Sequence, residues 1–191
     1  MTETGYRPET LQFSKNGRVP NSRFPVLIYH GAVTIDAGPD PAGAVIAGFR
    51  KNNWLNNWRY PGIYDYYHFH STTHEVLGVV SGQMTLRLGG EGGSEVSLAA
   101  SDVLVMPAGV SHIYLDGSSD ILVVGGYPDG RDWDLMRDEN ISEADWRDAL
   151  KRIMTLPIPD QDPVTGEAMR QWQEAPSSLE WGQPREELDP V

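Results

Sequence analysis

Cysteine is absent from the 191 residues, which rules out disulfides, thiolate nucleophiles and thiolate metal sites together. Long apolar runs are missing too. The longest, Phe24 to Tyr29 and Ile121 to Val124, fall far short of the ~20 residues a membrane helix needs. No basic stretch followed by an apolar one opens the chain, so no secretory leader is expected and a cytoplasmic protein is. Basic residues are scarce: 15 Lys and Arg stand against 27 Asp and Glu, a net charge of -12. Residues 1–133 carry -4 of it and residues 134–191 carry -8. Such a surface repels phosphate, so neither nucleic acid nor a membrane is expected as a partner.

What is present suits one compact domain with one core. Residues 1–23 are polar, without periodicity, and read as an irregular N-terminal arm. Phe24 to His30 reads as a strand opened by a proline. Asp40 precedes Pro41, and this pair predicts a short helix over 41–52, because Asp caps well and Pro suits the first helical position. Asn52 to Arg59, rich in Asn and Trp, reads as a loop packed by its own aromatics. From Gly62 to Tyr127, short β-rich runs alternate with turn residues at 63–70, 75–80, 83–88, 95–98, 102–106, 111–116 and 120–127. Strands of that length and spacing predict a small all-β sandwich or barrel over 24–133. Residues 134–191 read as an acidic, helical and irregular extension packed on it. Its main helix opens at Ser142, with Glu143 and Asp145 in the positive first turn. A short helix is expected at 167–174 and a frayed end at 182–191.

Three of the five histidines cluster in the sequence with one acid: His68, His70, Glu75 and His112. His68 and His70 are two apart in a strand, so both imidazoles leave one face. Glu75 lies five beyond His70, an odd offset, and Ser71-Thr72-Thr73-His74 must turn the chain to bring it inward. Pro107-Ala108-Gly109 turns before His112. Three imidazoles and a carboxylate then converge inside the barrel, a donor set suited to one divalent ion of Fe, Mn, Ni, Co or Zn.

The segment Gly62-x5-His68-x-His70-x4-Glu75-x6-Gly82, followed by Ser101-x5-Pro107-x-Gly109-x2-His112, resembles the two motifs of the cupin superfamily. Ser101 stands where that family usually has Gly, and Asp116 where it often has Asn. Trp58 to Gly78, Leu88-Gly89-Gly90 and Val124 to Pro128 are similar to the YjlB-like cupins. The resemblance implies a double-stranded β-helix, or jelly-roll, with a mononuclear metal and frequent dimers. It implies no particular reaction.

Strand parity places Tyr66 with His68 and Tyr114 with His112, so both phenols are candidate catalytic groups, with aromatic core filling as the alternative. His74 is expected to face away from the site. The apolar outward set Tyr67, Phe69, Val76, Val80, Ile113 and Leu115 requires cover from 24–33, the extension, or a second copy in a homodimer. Two functions follow: a metal-dependent enzyme on a small molecule (oxygenase, isomerase or lyase), or a non-catalytic, metal-dependent binder of a sugar-like metabolite.

Overall fold

The computed structural model describes residues 7–35, 38–137 and 139–175. In chain order the strands are β1 (Glu9–Leu11), β2 (Val26–Tyr29), β3 (Trp54–Tyr60), β4 (His68–Phe69), β5 (Glu75–Ser81), β6 (Gln83–Leu88), β7 (Ser94–Ala99), β8 (Val103–Met106), β9 (His112–Gly117), β10 (Leu122–Pro128) and β11 (Met136–Arg137). The helices are α1 (Pro41–Lys51), α2 (Glu143–Thr155) and α3 (Arg170–Gln173). The strands form two sheets, ordered β1-β2-β8-β5-β10-β3 and β11-β4-β9-β6-β7, and every pairing is antiparallel. The sequence pattern and the structure agree on an all-β protein with short helical parts.

Alternation along the strands builds the core. Leu77 and Val79 of β5, Leu104 and Met106 of β8, and Met84, Leu86 and Leu88 of β6 meet between the sheets. The opposite residues of the six-stranded sheet, Val76, Val80, Val103, Val105 and Val124, are covered by α1 through Val45, Ile46 and Phe49, and by Met169 and Trp172. Each such large side chain contributes roughly 1.5–3 kcal/mol on full burial. Gly78 lets α1 approach: a Cβ there would sit 2.9 Å from the Phe49 ring. Phe69, outward on β4, packs under Ile141, Ala149 and Ile153 at α2. Of the outward set, Phe69, Val76 and Val80 are therefore buried within the chain, whereas Tyr67 and Ile113 are half-buried and Leu115 is exposed.

Both main helices begin where local chemistry dictates. The Asp40 carboxylate accepts from Gly43 N ahead of α1, and Ser142 Oγ accepts from Asp145 N ahead of α2. Three expectations need correction. Residues 54–60 form a strand, not a loop. β3 pairs with β10, Tyr60 opposite Val123 and Trp58 opposite Gly125, so sheet pairing overrides the polar composition of its Asn residues. The run 63–70 keeps only two strand residues. The arm contributes β1 to the edge of the larger sheet. The end at 182–191 lies outside the described residues. Among the described residues, no helix is long and apolar enough to cross a membrane.

Ser101 has φ 80°, the left-handed region that favours glycine. Its N–H bonds Val79 O and its carbonyl accepts from Val33 N, so the backbone is held there whatever the side chain. Ser101→Gly should relieve about 1 kcal/mol of strain and raise the melting temperature by about 2–4 °C, measured by thermal denaturation. An unchanged or lower melting temperature would show that Ser101 is unstrained.

Candidate metal centre

His68 on β4 and His112 on β9 are direct register partners across the smaller sheet. Their side chains therefore leave the same face, and their rings lie 4.1 Å apart, centroid to centroid. His70 follows β4 with the same parity. One ring nitrogen from each of the three lies within 4.8 Å of the others. Glu75 comes from the facing sheet, at the first residue of β5. Its Oε2 sits 3.4 Å from His70 Nε2 and 3.6 Å from His112 Nε2. All four side chains are buried. The odd offset between His70 and Glu75 thus has a structural reason: Ser71 to His74 carry the chain from one sheet to the other.

Every imidazole is oriented through its far nitrogen. His68 Nδ1 bonds Tyr66 O at 3.0 Å, His112 Nδ1 bonds Val110 O at 3.0 Å, and His70 Nδ1 bonds Asp134 O. A carbonyl only accepts, so each Nδ1 carries the proton and each Nε2 can present its lone pair to the centre. Metal-binding histidines are held in this way. Burial pushes His68 down to about 2, helped by neighbouring His112, and holds His112 at about 4. Both rings are therefore neutral at neutral pH. Burial also lowers His70, but the Glu75 carboxylate outweighs it and raises the group overall. Glu75 in turn is raised by burial but held below its ordinary value by His70. A buried carboxylate that needs a positive partner among two neutral imidazoles is the electrostatic demand a divalent cation meets. The donor set fits such an ion.

The Glu75 carboxylate is fixed in turn. Tyr127 of β10 donates to its Oε1 at 3.1 Å, and Trp58 Nε1 donates to the Tyr127 hydroxyl at 2.9 Å. Oε2 is left for the centre. Burial and Glu75 push the Tyr127 phenol well above its ordinary value, so it keeps its proton. Gly125 makes room for this relay: a Cβ there would meet the Trp58 indole at 2.1 Å. A second support comes from beyond the barrel. The Asp134 carboxylate accepts from Ser71 N at 2.6 Å and Thr72 N at 3.2 Å, and also from both hydroxyls. Arg152 of α2 donates to Ser71 Oγ at 2.8 Å and reaches Asp134 at 3.5 Å. The start of the acidic extension thus fixes the crossover and, through its own carbonyl, His70.

The centre lies at the bottom of a cavity of about 340 Å³. Its wall is largely aromatic, with Trp58, Tyr60, Tyr64, Tyr127 and Trp133 alongside Ile63, Asn56, Asn57 and Arg59. The four residues read from the sequence as ligands come together at this point. Tyr66 and Tyr114 do not line the cavity. Tyr66 stacks on Tyr64 at 5.0 Å beneath the Arg137 guanidinium, and supplies its backbone carbonyl to His68. The Tyr114 ring lies behind Gly62 and against Gly117. His74 faces away from the centre. Its Nδ1 accepts from Ala108 N at 2.9 Å, its Nε2 bonds Pro157 O at 3.2 Å, and it packs on Trp172. It ties the turn before His112 to the extension. The sequence pattern does not single out Tyr127, Tyr64, Trp133 or Asp134. For Tyr127 the register against β3 shifts between Gly125 and Tyr127, so strand parity gives no signal. The paired glycines beside it were the only hint.

Two opposed antiparallel sheets enclosing three histidines and a glutamate define a cupin. No protein-family model matches the sequence. Over 159 residues the chain is 35% identical to "Uncharacterized protein YjlB" of Bacillus subtilis (strain 168), covering 83% of this chain and 90% of that protein. The chain belongs to the YjlB-like cupins. Among solved structures it is similar to an oxalate decarboxylase variant of Bacillus subtilis (16% identity, TM-score 0.36, 73% of this chain and 31% of that one). Others are a DMSP lyase (24%, TM-score 0.32, 43% and 40%) and acireductone dioxygenase from Bacillus anthracis (18%, TM-score 0.29, 61% and 56%). The chain spans less than two thirds of each of these three.

The Asp134 carboxylate is the structural hinge of the crossover. Asp134→Ala strands two backbone donors and two hydroxyls, so it should cost about 2–3 kcal/mol in urea unfolding. A loss below about 0.5 kcal/mol would show that these bonds do not hold the turn.

Proposed function

We propose that this protein is a mononuclear divalent-metal cupin that acts on a small molecule, with His68, His70, Glu75 and His112 as the ligands. The observation that carries this reading is the shared orientation of the three rings: each Nδ1 bonds a backbone carbonyl, the three rings cluster, and Nε2 of His70 and of His112 faces Glu75 of the opposite sheet. When bound, the ion would supply Lewis acidity and an anchoring point for substrate oxygen. Fe, Mn, Ni, Co and Zn all suit this nitrogen and oxygen set.

The chain's own groups support catalysis over passive binding. The Tyr127 hydroxyl lies on the cavity wall and keeps its proton, within reach of anything bound beside Glu75. A phenol that keeps its proton can stabilise charge developing on a substrate oxygen by hydrogen bonding. The Trp58 indole orients that hydroxyl. Tyr66 and Tyr114, the phenols expected from parity, hold their rings outside the cavity; in our reading Tyr127 takes that role. Small molecules fit the cavity, which is near the lower end of the ~300–1,000 Å³ common for ligand sites. We also infer a homodimer, with a second copy covering Tyr67, Ile113 and Leu115, and a cytoplasmic location, which suits the absence of cysteine.

Protein purified without chelator or affinity metal should carry about one divalent ion per chain by elemental analysis. His70→Ala should abolish that stoichiometry and remove the thermal stabilisation that metal gives the native protein by mass action. Unchanged metal content in the variant would overturn the ligand assignment. Tyr127→Phe should leave the fold intact and weaken metal affinity about tenfold, as loss of an outer partner does. Equal affinity would remove Tyr127 from the site.

A further inference from the structure

The cavity says more about its ligand than its size. Five aromatic rings form its wall, and three of them, Tyr60, Tyr64 and Trp133, remain 56%, 40% and 39% exposed at the opening. Exposed aromatic rings gathered at the mouth of a buried polar centre are surface waiting for a flat partner. Trp133 and His70 meet edge to face, with ring centroids 5.5 Å apart. Trp133 is fixed there because the next residue, Asp134, holds His70 and the crossover.

The wall is poor in polar groups with bonding capacity to spare. The Asn57 amide spends its nitrogen on Trp54 O and Gly125 O and its oxygen on Arg50. The Trp58 N–H is spent on Tyr127. The Arg59 guanidinium is forked onto Asp40 at 2.7 and 3.0 Å. A polyol needs a partner for each hydroxyl it buries; beyond the groups already spent, the wall offers the Asn56 amide, which donates to Arg131 O, and the Tyr60 and Tyr64 hydroxyls at the opening.

Charge narrows the class further. Three neutral imidazoles, one carboxylate and one divalent ion leave a single positive charge at the bottom of the cavity. Arg59 is the cationic residue on the wall, and Asp40 already neutralises it. The site therefore complements one negative charge, placed at the inner end.

From these features we infer that the cavity takes a planar, conjugated monoanion: a ring lying against Trp133, Tyr64 and Tyr60, with its one anionic oxygen group directed at the three histidines. This rests on the metal assignment above. It replaces the sugar-like ligand that the sequence left open.

The test uses the full chain loaded with cobalt(II), after cobalt stoichiometry has been measured. Benzoate, cyclohexanecarboxylate, gluconate and phthalate are titrated by calorimetry and by the visible cobalt absorption. Benzoate is expected to shift the cobalt bands and to bind about fivefold tighter than its saturated counterpart, the margin one aromatic contact gives. Gluconate and the dianion phthalate are expected to bind more weakly still. Trp133→Ala should erase the preference for benzoate, and Trp133→Phe should keep it. Trp133 is half exposed, so neither change threatens the fold. Cobalt bound at one per chain, with gluconate or cyclohexanecarboxylate equal to benzoate, would overturn this inference alone. So would a benzoate preference that survives Trp133→Ala. Failure to bind cobalt would overturn the metal assignment and this inference with it.

Discussion

The structure depends on one constraint: a carboxylate from one sheet must face imidazoles from the other in a buried space between the sheets. Burying Glu75 costs free energy unless positive charge lies beside it. His70 and His112 both face that carboxylate, and its negative charge raises the affinity of His70 for a proton. A divalent ion meets the same demand with all three nitrogens. The two sheets are therefore joined at this end by electrostatics, and along the rest of their length by the aliphatic packing of Leu77, Met84, Leu86, Leu104 and their neighbours.

Much of the chain outside these four side chains serves to hold them. The crossover Ser71 to His74 changes sheets, and its exposed backbone donors find their acceptor in Asp134, at the start of the extension. Arg152 of α2 braces that contact, and α2 itself packs on Phe69, the neighbour of both His68 and His70. His74 ties the Pro107 turn to Pro157. The acidic extension is thus part of the site's scaffold as well as a source of surface charge. On the other side, Gly125 and Gly126 thin β10 so that Trp58 and Asn57 can lie against it, which sets the relay onto Glu75 and shapes the wall.

The convergence of His68, His70, Glu75 and His112 was legible because it depends on period-two geometry and turn chemistry, both local. Helix starts at Asp40-Pro41 and Ser142 were legible for the same reason. β3 was not, since Asn-rich sequence becomes strand only by pairing with β10. The rings of Tyr66 and Tyr114, expected beside the histidines by parity, lie off the cavity wall: Tyr66 sits ahead of β4 in irregular chain, where alternation does not hold, and Tyr114 lies against Gly62 and Gly117. Asp134 carried no signal, because its partners lie more than sixty residues earlier and meet it only in three dimensions. At Ser101 the departure from glycine was visible, and the structure shows the backbone keeping the glycine-like conformation regardless.

The central claim is that one cation sits where the three Nε2 atoms and Glu75 converge. Anomalous diffraction from crystals of the zinc-loaded protein, collected at the zinc edge, tests it most directly. A single peak about 2.0–2.2 Å from Nε2 of His68, His70 and His112, with a Glu75 oxygen at similar range, is the expected result. A peak elsewhere on the chain, or none between the sheets at full zinc loading, would contradict the account.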